Sequence, residues 1–98
     1  MIRVTVAYPQ QPGKRFDFDY YLKTHIPLVQ RLLGSAIRRV EVFKGAGSDA
    51  ANVCVAALFF DSKDAFEKAF NPVAKEVMGD VPNYTDIEPA VHIEEQVL

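Results

Sequence analysis

The side chains with the most chemical reach in this sequence lie in one stretch, Phe16 to Gly34, FDFDYYLKTHIPLVQRLLG, where His25 stands just before an Ile26-Pro27 step. A histidine changes charge near neutral pH, so in a pocket it can take a proton as a general base or orient a ligand. Its structural alternative is a cap, the ring bonding a loose carbonyl at a helix end where the dipole also favours a cation. Tyr20 and Tyr21 come from the same stretch, and Tyr84 comes from the later segment DVPNY. Their hydroxyls can hold a substrate carbonyl or steady a developing enolate, and each can equally be packing with a polar tip. The candidate catalytic pair is therefore His25 as base and Tyr84 as hydrogen-bond donor. Tyr20 and Tyr21, with Phe18 and Phe59 as apolar wall, form the candidate substrate-binding set, because small-molecule pockets are mostly apolar with a few convergent polar groups. Asp19 is placed either to orient His25 or, as its more ordinary role, to help cap the helix.

Other chemistries are poorly served. No group of His, Cys, Asp and Glu has metal-ligand spacing, and there is no phosphate-cradling glycine loop or flavin fingerprint, so neither a metal nor a dedicated cofactor is expected. Cys54 is alone in the apolar run Val53 to Phe60, which excludes an internal disulfide and reads as an inert core thiol. Net charge is −2 with both signs interspersed. That leaves no basic stripe for nucleic acid and no polybasic patch for a membrane surface. The apolar runs are too short to span a bilayer and the N-terminus reads as a strand, so a cytoplasmic protein is expected. At 98 residues the chain is read as one domain, 1–98.

The elements that must position these groups follow from periodicity. Ile2, Val4, Val6 and Tyr8 alternate with Arg3, Thr5 and Ala7, a strand with one face on a core, ending at Pro9. The breaker-rich PQQPGKR leads to a helix capped by Asp17 or Asp19, with Phe18, Leu22, Ile26, Val29 and Leu33 as its buried stripe and Gly34 as its stop. Pro27 has no N–H for the carbonyl of Lys23, so this helix is expected in two pieces, 17–24 and from Pro27 onward, with His25 at the joint. Ile37–Lys44 and Asn52–Phe60 read as strands joined through GAGSDA into a hairpin. In the second of these, Val53, Val55, Ala57 and Phe59 point one way and Cys54, Ala56, Leu58 and Phe60 the other, so both faces are buried. Asp61 or Ser62 caps a second helix with Ala65, Phe66, Ala69, Phe70, Val73 and Val77 as its stripe, broken at Asn71-Pro72 and ending near Gly79. A last strand alternates Ile87, Val91 and Ile93 with Glu88, Ala90, His92 and Glu94, and Pro89 puts it at an edge.

The order β-α-β-β-α-β predicts an α+β, ferredoxin-like fold: a four-stranded antiparallel sheet with two kinked helices on one face. The other face is then bare. On this reading it carries Arg3, Thr5, Arg39, Glu41, Glu88 and His92 around a centre of Cys54, Ala56, Leu58 and Phe60, and such a surface suits a homodimer that closes sheet on sheet. His92 becomes an interface residue.

Two segments carry a resemblance to a known family: FDFDYYLKTHIPLVQRLLG, with its Tyr-Leu-x-x-His-x-Pro-Leu core, and DVPNYTDIEP before the last strand. They resemble the EthD family, named for its association with ethyl tert-butyl ether degradation, within the dimeric α+β barrel superfamily. Phe18 stands where many relatives have tryptophan. The resemblance implies a pocket between sheet and helices, and it makes His25 the position matching the family's histidine. It also implies small-molecule catabolism or polyketide-type chemistry, since superfamily relatives include lactone isomerases, polyketide cyclases and cofactor-free monooxygenases. The expected function is cofactor-independent proton transfer on a small hydrophobic cyclic compound. The alternative is a non-catalytic dimeric binding or accessory protein for a catabolic oxygenase system. A third reading, haem binding with His25 as axial ligand, has no second feature in the sequence.

Overall fold

Alternating apolar positions build four strands, β1 (Ile2–Pro9), β2 (Arg39–Lys44), β3 (Asn52–Phe60) and β4 (Ala90–Glu95), in a computed structural model that describes all residues, Met1–Leu98. They form one antiparallel sheet in the order β2-β3-β1-β4. This is the ferredoxin-like arrangement that the element order predicts. β4 lies at an edge and starts only after Pro89, which cannot donate to a ladder. No helix is long and apolar enough to cross a membrane.

The first helical segment runs α1 (Phe18–Tyr20), a π turn (Tyr21–His25) and α2 (Ile26–Leu33). Asp17 caps it, its side chain accepting from the Tyr20 N–H at 3.0 Å, and Gly34 ends it at φ 58°, a left-handed position open to glycine without strain. Pro27 does not interrupt the helix in the way expected. The chain absorbs the missing donor in a wide turn, in which the Ile26 N–H reaches back to the Tyr21 carbonyl. That turn changes which side chains face inward. The buried row is Tyr21, His25, Val29 and Leu33, and Leu22, expected in the stripe, is 49% exposed. The second segment behaves as the sequence predicts. Ser62 caps α3 (Lys63–Phe70), Asn71–Val73 forms a 3-10 turn at Pro72, and α4 (Ala74–Gly79) follows.

The face assignment of β3 is reversed. Its register pairs Ile2 with Phe60, Val4 with Leu58, Val6 with Ala56 and Tyr8 with Cys54, and these residues lie under the helices. The bare face instead pairs Arg3 with Phe59, Thr5 with Ala57 and Ala7 with Val55. A strand that is apolar on both sides has no polar residue to mark its outer face, so the partner strand decides. Cys54 is completely buried, and burial pushes its thiol up to about 12, the unreactive state expected.

Beneath the helices the core divides into two groups. One is built from Ile2, Val4, Val29, Leu33, Leu58, Phe60, Phe66 and Val77. The other is built from Tyr8, Tyr21, Cys54, Ala56, Tyr84 and Ile87, with His25 stacked on Tyr21 at 5.4 Å between ring centres.

Candidate active site

Three parts of the chain bring the polar groups together. The π turn puts His25 on the inward row, β1 delivers Tyr8 at its last paired positions, and the segment after α4 supplies Asp80 and Tyr84. Tyr84 is fixed through its own backbone: its carbonyl accepts from the Asp17 N–H at 2.8 Å, and neighbouring Thr85 bridges to Phe16. The Thr85 hydroxyl donates to the Arg15 carbonyl at 2.7 Å and accepts from the Ile87 N–H at 3.0 Å. The DVPNYTDI segment is thereby stitched to the start of the first helix, and its tyrosine is driven into the core.

The result is a continuous hydrogen-bonded chain. His25 Nδ1 lies 2.9 Å from Asp80 Oδ2, His25 Nε2 lies 3.3 Å from the Tyr84 hydroxyl, and that hydroxyl lies 2.7 Å from the Tyr8 hydroxyl. Asp80 is held from its other side, where Oδ1 accepts from the Tyr20 hydroxyl at 2.7 Å and from Asn83 Nδ2 at 2.8 Å. An ionised carboxylate can only accept, so Nδ1 carries the ring proton and Nε2 is the acceptor. Tyr84 then donates to Nε2, and its hydrogen being used, Tyr8 must donate to Tyr84.

The charge states agree with that order. Burial lowers the His25 pKa, outweighing the attraction of Asp80, and keeps the ring neutral. Burial pulls Asp80 upward, but the hydrogen bonds from Tyr20, Asn83 and His25 prevail and hold its carboxyl below the usual range. Burial raises Tyr84, Tyr21 and Tyr8, so all three are protonated donors rather than bases at neutral pH. His25 is thus no cap. Its ring is 4% exposed and both nitrogens bond side chains, so a haem iron at Nε2 would have to displace Tyr84.

A cavity of about 210 Å³ lies between sheet and helices against this chain. His25, Tyr84, Tyr8 and Tyr21 form its polar end, and aliphatic residues such as Val29 and Leu58 form the remainder. Chemically, the arrangement is a neutral imidazole backed by a carboxylate and connected through two phenols to an apolar chamber.

The sequence matches the EthD domain model over residues 12–88. The chain belongs to the EthD family. An EthD-like protein of Ralstonia eutropha JMP134 is 41% identical, its structure superposing with a TM-score of 0.90 over 99% of this chain and 92% of that one. More distant structures share the fold. One is a presumed antibiotic biosynthesis monooxygenase of Bordetella bronchiseptica, 22% identical with a TM-score of 0.68 over 99% of this chain and 97% of that chain. Another is a dimeric ferredoxin-like protein of unknown function from Bacteroides fragilis, 13% identical with a TM-score of 0.61 over 97% and 95% of the two chains. No match was found among curated proteins.

Within this EthD chain, His25, Tyr84 and Tyr21 meet at the cavity wall. Tyr20 is displaced from the wall and holds Asp80 instead. Phe18 packs beside Phe16 at 4.6 Å between ring centres, away from the chamber, with the Lys44 ammonium over its other side. Phe59 lies on the opposite face of the sheet, where the Arg39 guanidinium stacks on it at 4.4 Å. Asp19 neither caps nor orients His25; it pairs with Lys23 at 2.7 Å on the surface. The residues missed by sequence reasoning are Asp80, Asn83 and Tyr8. A signal existed for Asp80, as an acid between a helix stop and a Pro-Asn turn, but its partner is far away in sequence. Tyr8 was legible only as the last apolar position of a strand.

Proposed function

We propose that this EthD protein catalyses cofactor-independent proton transfer on a small hydrophobic cyclic compound held in the cavity, with His25 as the terminal base and Tyr84 as the donor linking it to the chamber. The observation that carries this reading is the unbroken Asp80–His25–Tyr84–Tyr8 chain ending at the wall of an apolar cavity. A neutral imidazole whose other nitrogen is fixed on a carboxylate is set to accept a proton at Nε2, and the carboxylate stabilises the imidazolium that results. Isomerisation, cyclisation and cofactor-free oxygenation of a ring compound can all begin with this step. The presumed monooxygenase function of the Bordetella bronchiseptica protein is consistent with such chemistry. The test needs no prior substrate: the protein is incubated in D2O with ring ketones, lactones and phenols, and deuterium entering carbon positions is followed by NMR. Catalysed exchange that disappears in His25→Ala supports the proposal, and full exchange in that variant sinks it.

A second reading has its own observation. Tyr84 is fully buried and the polar atoms are recessed in the cavity wall, as suits a protein that binds a small molecule without transforming it. Saturable binding with no exchange for any bound compound would favour that accessory role.

We also infer that two copies associate through the bare sheet face. Phe43 is 56% exposed there, beside the half-buried Val55 and Phe59, and the Bacteroides fragilis relative of the same fold is a dimer. Light scattering after size exclusion gives twice the chain mass if this holds, and Phe59→Glu reduces it to the monomer.

A further inference from the structure

The direction of the hydrogen-bonded chain bears on what the cavity can hold. With Nδ1 donating to Asp80, Tyr84 to Nε2 and Tyr8 to Tyr84, every hydrogen in the chain points toward the carboxylate. What remains at the end of the chain is oxygen lone pairs of Tyr8, with the Tyr21 hydroxyl standing at the cavity wall outside the chain. A ligand must therefore supply a hydrogen to join the chain, or else break it. Charge adds a second restriction. No lysine or arginine lines the cavity, and the nearest formal charge along the chain is the carboxylate of Asp80, which is negative. A ligand that enters already ionised would lose its hydration with no cation at the wall to replace it. Size gives the third restriction: about 210 Å³ is more than the roughly 150 Å³ that accommodates benzene in an apolar cavity, and less than a drug-sized site of about 300 Å³ or more.

We propose that the ligand is an uncharged compound of one or two rings bearing a hydroxyl, a phenol or an enol, which enters the chain as its first donor at Tyr8. The inference rests on the reading of this cavity as the substrate site. The step then balances. The ligand hydroxyl proton passes to the Tyr8 oxygen as the Tyr8 proton passes to Tyr84 and the Tyr84 proton to His25 Nε2. The products are a ligand oxyanion and an imidazolium paired with Asp80, with no electron gained or lost. Carboxylic acids of the same shape, ionised at neutral pH, are rejected, and ethers, which present only an acceptor, cannot join the chain and bind more weakly.

Three near-isosteric probes separate these properties: 2-naphthol, 2-methoxynaphthalene and 2-naphthoate, with affinities measured by calorimetry on the wild-type protein and on Tyr8→Phe. The expected order is naphthol tightest, the ether about fivefold to tenfold weaker as suits one lost hydrogen bond, and naphthoate weakest. Tyr8→Phe should bring naphthol down to the ether and leave the ether unchanged. Naphthoate binding as tightly as naphthol overturns the inference. So does ether binding equal to naphthol, although the cavity would then stand as an apolar site and the proposed function with it. Naphthol affinity unchanged in Tyr8→Phe removes Tyr8 as the point of contact. If none of the three binds, the cavity is not a ring-compound site and both readings fall together. The wild-type series carries this test even if the variant does not fold.

Discussion

The two halves of the core are laid on the same two strands and do opposite work. Toward one end, β1 and β3 contribute Ile2, Val4, Leu58 and Phe60, which pack against Val29, Leu33, Phe66 and Val77 with no polar atom to satisfy. Toward the other, the same strands contribute Tyr8, Cys54 and Ala56, and the helix and the segment after α4 add Tyr21, His25 and Tyr84. The aliphatic half gains stability from every buried methylene. The aromatic half must satisfy each buried oxygen and nitrogen, and it does so, since no buried side-chain polar atom is left without a partner. A fully satisfied polar network specifies one arrangement but contributes less net stability than hydrocarbon of the same volume. One end thus anchors the fold through hydrocarbon packing, and the other holds a single arrangement through its hydrogen bonds.

The contrast can be tested in order of effect. Phe60→Ala, at a site with no exposure in the aliphatic half, should lower unfolding free energy by about 3–5 kcal/mol in urea titrations. A loss no larger than that of a surface substitution would erase the distinction between the halves. Asp80→Ala strips the partner from the His25 N–H and the Tyr20 hydroxyl, and a stability loss of about 1–3 kcal/mol is expected for leaving such groups unpaired. Its effect on deuterium exchange should be larger than its effect on stability, because the imidazole is released from its tautomer as well. Tyr84→Phe keeps the ring packing and removes one hydroxyl from the chain, so its stability change should be about 1 kcal/mol, while exchange is lost.

Acid should act on the polar half first. Because the folded His25 pKa lies below its ordinary 6.5, the unfolded chain binds the proton more readily. Stability is therefore complete above 6.5 and falls as pH drops from there toward the lowered folded value. Asp80, also lowered, adds a second loss below its ordinary 3.8. Urea midpoints measured from pH 8 to pH 4 should show the first step in wild type and not in His25→Asn. Lys23→Ala, which breaks an ion pair exposed at 75% and 76%, should change neither stability nor exchange measurably.

Much of this is legible in the sequence. The order of elements along the chain, both capped helices, the Gly34 stop, the hairpin and the edge placement of β4 follow from local chemistry: alternation, missing donors at proline, side chains that cap. His25 and Tyr84 also stood out, by residue type and by resemblance. Three features escaped. Leu22 falls in the apolar stripe at regular helical spacing, but the π turn ahead of Pro27 changes the spacing and leaves it exposed. Phe59, expected at the pocket, lies on the opposite face, because β3 is apolar on both sides and its own sequence does not choose between them. Asp19 was weighed as the partner of His25 because it is near in sequence, whereas the actual partner is Asp80.

The division has one physical cause. Local rules depend on a residue's own backbone and its neighbours within a turn or a strand, so the sequence by itself determined the elements, their order and the family. Register, facing and hydrogen-bond partnership depend on atoms brought together from distant parts of the chain. Only the tertiary structure decided that Tyr8, His25, Asp80 and Tyr84 form one chain, because nothing but the packing of helix on sheet brings them within 3.3 Å of one another in succession.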